Sequence, residues 1–443
     1  MNKIQITNEI NTIFEKLNSA GFECFMVGGC VRDALLNKIP HDVDFTTNAT
    51  PKQIKECFKD FNVIETGIKH GTLTVIVNNI PFEITTYRID GEYLDNRRPE
   101  NVVFVNDIKS DLARRDFTIN AIAYNPDVGF VDCFNGIEDL KAGIIRCVNE
   151  PNKRFQEDAL RILRALRFSA VLGYKIEPET EKACFELSYL LKNISAERIM
   201  AELFKTIVQP NAHKVIFNYV DIWGVVIPEL LKIKGFEQHN PHHLHDVLKH
   251  TCVALEGASN DLLVRLAVLF HDIGKPDSFS LDEKGNGHFY GHATVSESET
   301  REIFNRLKVD NNTKNQVLTL IKYHDLDLQA SERYVRRLCY KLGDLETVKK
   351  LILVQRADNY GQAPIHNERI EKFNKIDEII ENLEQKNLSF TLKDLAVNGI
   401  DMINMGLSGK EIGKSLNFLL EAVLNDTVKN TKPALLDYLK QNR

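Results

Sequence analysis

Asp42-Val43-Asp44 stands shortly after the pair Gly28-Gly29, and these residue types together point to phosphate chemistry. In a strand, side chains alternate, so Asp42 and Asp44 share one face while Val43 and Phe45 enter the core. Two carboxylates held that close repel each other unless a cation lies between them. Mg²⁺, which binds through one or two carboxylates plus substrate phosphates, is the natural occupant. Gly28 and Gly29 let the backbone turn tightly and approach a ligand with no side chain in the way. Val31 to Asn37 would begin a helix there, turning unpaired N–H groups and a positive dipole end toward an anion. No Gly-Lys-Ser/Thr follows the glycines, so a Walker A loop is excluded.

The elements that must hold these residues flank them. Residues 1–22 predict an amphipathic helix with Ile10, Ile13, Phe14 and Leu17 on its apolar face, and Glu23 to Val27 a short buried strand. Thr50-Pro51 caps a further helix, with Pro51 at its first position. Thr72 to Val77 and Phe82 to Tyr87 read as a hairpin turned at Asn78 to Pro81. Glu83 lies on its second strand, on the face of Thr85 and Tyr87, as either a third acidic ligand or a surface glutamate. Tyr87 to Pro99, polar and charged in both signs, suits a mobile loop beside the site and contains Asp90, Arg97 and Arg98.

Arg114, Arg115, Asp116 and Asn120 fall close together at an expected helix start. Arginine forks match phosphate oxygens, and Asp or Asn side chains can hold ribose hydroxyls; a plain salt-bridged helix is the alternative. From Arg154 the pattern is helical, with Arg154, Asp158 and Arg161 on one face. Cytosine and adenine both show an amino donor beside a ring-nitrogen acceptor, whereas guanine and uracil show the reverse. A carboxylate at Asp158 would accept from the amino group while Arg161 donates to the ring nitrogen. A G or U would leave buried polar groups unpaired, at about 1–3 kcal/mol each. An i,i+4 Glu157–Arg161 pair on a solvated helix is the competing reading. Between Lys141 and Lys175 eight Lys/Arg stand against three acids, a footprint for RNA backbone on which Arg154 and Arg167 are expected.

Gly28-Gly29-Cys30-Val31-Arg32-Asp33 followed by Asp42-Val43-Asp44 resembles the signature of the polymerase β-like nucleotidyltransferases. More narrowly it resembles the class II tRNA nucleotidyltransferase and bacterial poly(A) polymerase family. Arg114-Arg115-Asp116 with Asn120 is similar to that family's nucleotide-sugar motif, and Glu157-Asp158 with Arg161 to its amino-acid template. The resemblance implies template-independent addition of CCA to tRNA 3′ ends from CTP and ATP. It makes Asp42, Asp44 and Glu83 catalytic, with Mg²⁺ on the aspartates, and Gly28, Gly29, Arg32, Arg114, Arg115, Asp116, Asn120, Asp158, Arg161 and Arg164 nucleotide-binding. An intact flexible loop at Asp90 to Arg98 argues against a CC-only enzyme; an A-adding enzyme or poly(A) polymerase is the runner-up.

Nine of thirteen histidines lie between His239 and His324. His271-Asp272 follows an apolar helical run, Leu262 to Leu269, and with His250 upstream and Asp358 downstream it resembles the HD phosphohydrolase domain. Imidazole and carboxylate ligands together suit Mn, Fe, Ni, Co or Mg rather than a structural zinc. The resemblance carries over His250, His271, Asp272 and Asp358 as ligands of a first metal, with His292 and His324 able to hold a second. His239, His242 and His243 read as loop or surface residues. It further implies phosphatase or 2′,3′-cyclic phosphodiesterase activity that cleans an RNA end. From a different class, the chain could act mainly as an HD phosphohydrolase using its first domain as an RNA grip.

Arg333, Arg336 and Arg337 form a basic helical face, a candidate RNA contact. Val397 to Asp401 and Gly406 to Gly413 read as a glycine-punctuated helical hairpin, either tRNA-facing or packed. At 443 residues, with 43% hydrophobic and 27% charged residues and no long apolar span, the chain is expected to be soluble, away from membranes, and divided into several domains. The expected fold is an α+β head with a mixed sheet over 1–140. A helical neck and body over 141–230 would follow, then an HD domain over 231–366 and a helical tail over 367–443. Eight scattered cysteines without a Cys-x-x-Cys pair, and a start lacking a signal-peptide core, suggest the cytoplasm. A net charge of −6 requires any nucleic-acid surface to be local. A monomer or homodimer is expected.

Overall fold

A computed structural model describes residues 4–91, 102–239, 244–362, 368–385 and 392–442, without the side chains of Asp90 and Glu368. The chain divides into two compact units, Met1–Val226 and Ile227–Arg443.

The first unit opens with α1 (Asn8–Ser19), which buries Ile10, Ile13, Phe14 and Leu17 as expected. A seven-stranded mixed sheet follows. Its strands are β1 (Cys24–Val27), β2 (Asp44–Thr47), β3 (Asn62–Ile64), β4 (Thr72–Val77), β5 (Ile80–Thr86), β8 (Ile122–Asn125) and β9 (Gly129–Asp132), in the order β3-β4-β5-β2-β1-β8-β9. Between β5 and β8, β6 (Arg88–Asp90) pairs antiparallel with β7 (Val102–Phe104). Phe14, Phe45 and Phe82 meet edge to face in the core beneath this sheet, a favoured aromatic geometry. The hairpin between β4 and β5 turns on Asn78 and Asn79 alone, both at positive φ (49° and 65°). Such a two-residue turn matches the twist of its strands, and Asn tolerates it.

Helices α2 (Gly29–Leu35) and α3 (Pro51–Cys57) flank these strands, and Thr50 and Gln53 form a capping box at the start of α3. After α4 (Ile108–Ala113) and α5 (Gly136–Ala142) the unit becomes helical, through α6 (Pro151–Glu157), α7 (Leu160–Leu172), α8 (Pro178–Glu186), α9 (Ala196–Ile207), α10 (Ala212–Asn218) and α11 (Val220–Gly224). One expected helix across 154–161 is instead two. Asp158 is extended (φ −140°, ψ 100°) and separates α6 from α7.

Apart from one short β-pairing, the described residues of the second unit are helical: α12 (Glu229–Lys232), α13 (Val247–Gly257), α14 (Leu262–Phe270), α15 (His292–Arg306), α16 (Asn311–Tyr323), α17 (Glu332–Leu342), α18 (Leu345–Gly361) and α19 (Glu368–Gln385). The expected glycine-punctuated hairpin forms as α20 (Gly399–Asn404) and α21 (Lys410–Leu424), with Gly406 and Gly409 at positive φ between them, and α22 (Lys432–Gln441) follows. No helix among the described residues is long and apolar enough to cross a membrane.

Candidate active sites

Asp44 pairs in register with Val27 on antiparallel β1 and with Glu83 on parallel β5. Register partners on neighbouring strands share a face, so the sheet brings Asp44 and Glu83 together. Asp42 is not on the strand. The chain turns out of β1 at Gly28 (φ 82°, ψ −133°), which leaves nothing for residues 42–43 to pair with, so Asp42 lies in the preceding bend. The expectation of two carboxylates on one strand face is corrected to one on the strand and one before it. Burial, then the charges of Asp42 and Glu83, push the Asp44 carboxyl up to about 6, with Arg115 pulling the other way. Asp42 and Asp44, with Glu83 near enough to act on the Asp44 charge, offer hard oxygen donors that fit a divalent cation.

Arg115 joins this face to the glycine turn. A Cβ on Gly28 would lie 3.2 Å from its Nη1, a tight contact, and the positive φ there favours glycine. Arg115 is anchored by the fully buried Asp111, which also takes two hydrogen bonds from Arg114 and one from Thr46. Nε of Arg115 is buried without a partner. Asp111 had no role in the sequence reading; its position four residues before Arg115 was the only signal. Arg114 caps the end of α4 rather than starting a helix, so the expected helix start at 114–120 is corrected to a helix end and a 3₁₀ turn, Thr118–Asn120.

From Arg32 a chain of contacts crosses to the helices. Arg32 Nη1 donates to Asn120 Oδ1 (2.7 Å), Asn120 Nδ2 to Asp116 Oδ1 (3.1 Å), and Arg164 reaches Asp116 Oδ2 through Nε and Nη2 (2.9 and 2.6 Å). Burial would raise the Asp116 carboxyl, but Arg164, Asn120 and the Phe117 N–H hold it at about 2. With these bonds its acceptor sites are filled. Phe168 carries the guanidinium groups of Arg32, Arg164 and Arg167 at 5.2, 5.6 and 4.4 Å from its ring centre, a role no sequence pattern indicated.

The expected base-selecting pair sits at the break between α6 and α7. Arg161 is buried; its Nη1 contacts Glu157 Oε2 (2.9 Å) and the Arg154 carbonyl, and its Nη2 the Arg114 carbonyl. The i,i+4 pair with Glu157 therefore exists, but inside the protein. Asp158 accepts from Arg198 Nη2 at 2.8 Å and from the Leu160 N–H. Arg198 was missed as a partner of Asp158 because it is distant in sequence. The basic stretch is largely neutralised. Arg146 meets Asp139 and Glu177, Arg154 and Arg161 meet Glu157, Arg164 meets Asp116, and Arg167 meets Glu202. Arg154 and Arg167, expected on an RNA-facing surface, are turned inward onto carboxylates; Lys141, Lys153 and Lys175 remain exposed. Arg97 and Arg98, and the side chain of Asp90, lie outside the described residues, as do His242 and His243.

In the second unit, Asp261 caps the start of α14, and His271 and Asp272 leave its far end. A Cβ on Gly274 would lie 2.5 Å from the Ser296 nitrogen; that close approach docks α15 and brings in His292. His250 comes from α13 and Asp358 from α18. The Nδ1 atoms of His250, His271, His292 and His324 face the carbonyls of Gly361, Val268, Phe289 and Ile321 at 2.7–3.0 Å. A carbonyl only accepts, so each Nδ1 carries a proton, and each ring in its neutral form turns its Nε2 lone pair inward. Those lone pairs converge. His250, His271, Asp272 and Asp358 form one potential metal group, and Asp272, His292 and His324 a second that shares Asp272. His292 and His324 Nε2 stand 3.1 Å apart, and His271 Nε2 is buried without a hydrogen bond. Burial disfavours a charged His271, yet Asp272 and Asp358 push it up to about 10. That excess of negative charge fits divalent ions. Lys275, its Nζ 2.7 Å from Asp272 Oδ2, was missed as a partner. Asp246 of His245-Asp246 caps α13 instead. Arg336 pairs with Asp426, Arg333 bonds Asn425, and Arg333 and Arg337 with Lys341 line a cavity of about 720 Å³ between α17 and α21.

The mixed sheet with its acidic face, continued by helices, defines a nucleotidyltransferase. Three family profiles match: "Poly A polymerase head domain" over 24–146, "Probable RNA and SrmB- binding site of polymerase A" over 173–221, and "tRNA nucleotidyltransferase domain 2 putative" over 288–439. A CCA-adding enzyme of Lactobacillus helveticus is 33% identical over 434 residues, 97% of this chain and 95% of that protein. One from Staphylococcus haemolyticus is 31% identical, covering 99% and 98%. The crystal structure of the Bacillus stearothermophilus CCA-adding enzyme in complex with CTP has a TM-score of 0.73 at 27% identity, over 98% of this chain and 96% of that one. The chain belongs to the family of CCA-adding enzymes, tRNA nucleotidyltransferases that depend on divalent metal.

Proposed function

We propose that this chain adds C, C and A to tRNA 3′ ends from CTP and ATP, without a nucleic-acid template, at the acidic face of its first unit. The observation that carries the reading is the convergence of Asp42, Asp44 and Glu83 beside Arg115 and the Gly28 turn. Mg²⁺ held by Asp42 and Asp44, with Glu83 in support, would lower the pKa of the RNA 3′-hydroxyl and neutralise the triphosphate. Gly28, Gly29, Arg32, Arg114 and Arg115 receive the triphosphate. Asn120 and Asp116 hold the ribose, Asp116 by exchanging one of its present bonds. Asp158 accepts from the amino group of C or A, and Arg161, oriented by Glu157, donates to the ring nitrogen. Arg154, Arg164 and Arg167 stiffen this pocket from behind. Catalysis is then mostly positioning and charge stabilisation.

The histidine cluster supports a second activity, metal-dependent phosphohydrolysis of RNA ends. Its two potential metal groups share Asp272, and the carbonyls on the Nδ1 atoms of His250, His271, His292 and His324 turn each Nε2 toward the carboxylates. Mn, Fe, Ni, Co or Mg would polarise a phosphoryl oxygen there. Arg333 and Arg337, with Lys341, supply a surface for tRNA phosphates. The division proposed is a head over 1–140, neck and body over 141–230, the HD region over 231–366 and a tail over 367–443, in a cytoplasmic enzyme.

The test offers the protein tRNAs ending at the discriminator base, at C or at CC, with one NTP at a time. Stepwise C, C and A addition is expected. Addition of A alone to each end, or unlimited A addition, would assign an A-adding enzyme or a poly(A) polymerase.

A further inference from the structure

Beside the metal cluster of the second unit stands an aromatic pair that phosphohydrolysis alone does not use. His288 and Tyr290 stack with ring centroids 5.3 Å apart and planes 5° from parallel, and Tyr290 is 79% exposed. His292, a member of the second potential metal group, comes two residues after Tyr290, so the two Cα atoms are at most roughly 7 Å apart. Phe289, between them, accepts from His292 Nδ1 through its carbonyl and carries Lys275 Nζ 5.3 Å from its ring. The turn is thus tied to the cluster on one side and presents Tyr290 to solvent on the other. The pair is also braced: His288 Nε2 stands 3.3 Å from Asp282, which Asn286 fixes through its N–H and its side-chain amide at 2.8 and 2.9 Å.

We propose that Tyr290, backed by His288, is a nucleobase platform, so that this metal site takes nucleoside phosphoesters at an RNA end rather than small phosphoesters in general. The proposal rests on the phosphohydrolase reading. Stacking tolerates every base, which suits ends of unlike sequence. For a 2′,3′-cyclic phosphate, a water oxygen bonds to phosphorus and one P–O bond to the ribose breaks. The water proton ends on the released ribose oxygen, leaving a monoester.

The full-length protein with Mn²⁺ is assayed on adenosine 2′,3′-cyclic phosphate and on ethylene phosphate, the same ring without ribose or base. Tyr290→Ala is expected to raise KM for the nucleotide and cut the nucleotide-over-ethylene-phosphate preference roughly tenfold, the size of one lost base–aromatic stack. Tyr290→Phe should keep both near wild type. If the alanine variant melts early, Tyr290→Leu repeats the comparison. An unchanged preference in a folded variant overturns the platform while the hydrolase reading stands. Wild-type protein that cleaves neither compound with Mn²⁺, Ni²⁺ or Mg²⁺ overturns the hydrolase reading, and the platform with it.

Discussion

Asp44 and Glu83 are register partners on adjacent parallel strands, thirty-nine positions apart in the chain. Burial, then the charges of Asp42 and Glu83, raise the Asp44 carboxyl to about 6. An elevated acid prefers its protonated form in the folded state. Its charge therefore costs nothing below the ordinary carboxyl range and costs the full amount above about pH 6, at most about 3 kcal/mol.

Metal-free Asp44→Asn should accordingly melt above wild type near pH 7.5 and level with it near pH 4. Nucleotide addition should fall by about 10³-fold. Calorimetry at the two pH values together with a CTP incorporation assay checks both. Equal melting at both would mean that burial and the neighbouring acids do not raise the Asp44 carboxyl.

Asp116 has the opposite sign. Arg164 and Asn120 hold it at about 2 against the effect of burial, so the interaction stabilises the fold above the ordinary carboxyl value and is lost as pH falls from about 4 to about 2. Its weight is about 2 kcal/mol. Asp116→Asn should lose that acid-sensitive increment, visible as a flatter plot of stability against pH. A plot parallel to wild type would show that Arg164 does not act on it.

Asp158 is held by Arg198 and Arg161 by Glu157. Arg161→Ala should relax base choice more than it slows chemistry, with UTP and GTP gaining roughly tenfold relative to CTP. Arg198→Met should give a smaller shift in the same direction, because Asp158 then chooses its own rotamer. Single-NTP incorporation ratios measure both, and undiminished discrimination in Arg161→Ala removes the template role.

Asp42 belongs to one compact unit and His271 to the other. Asp42→Asn should abolish addition and spare metal-dependent phosphohydrolysis; His271→Ala should do the reverse. Chelation followed by return of Mg²⁺ or Mn²⁺ should restore each activity in the variant that keeps it. Joint loss of both activities in either folded variant would contradict two independent centres.

Much of the arrangement was legible in the chain. The Gly28-Gly29 turn, the hairpin before Glu83, the amphipathic first helix and the His271-Asp272 pair depend on neighbours within a few residues, where backbone preference and side-chain period act directly. The break at Asp158 was not, because the apolar pattern runs through it and the bond from Arg198 that holds its side chain comes from forty positions away. The basic stretch misled for a similar reason. A linear count of charge sees Arg146, Arg164 and Arg167 but not Asp139, Asp116 and Glu202, which fold against them.

The sequence by itself determined which chemistries this protein carries, since residue types and short spacings decide whether carboxylates, imidazoles and arginines are available. Tertiary structure alone decided how they act. Strand register put Glu83 beside Asp44, the carbonyl of Gly361 oriented the distant His250, and helix packing gathered His250, His271, His292 and His324 about Asp272. Those placements arise from contacts between segments far apart in the chain, and no local preference encodes which distant backbone will arrive.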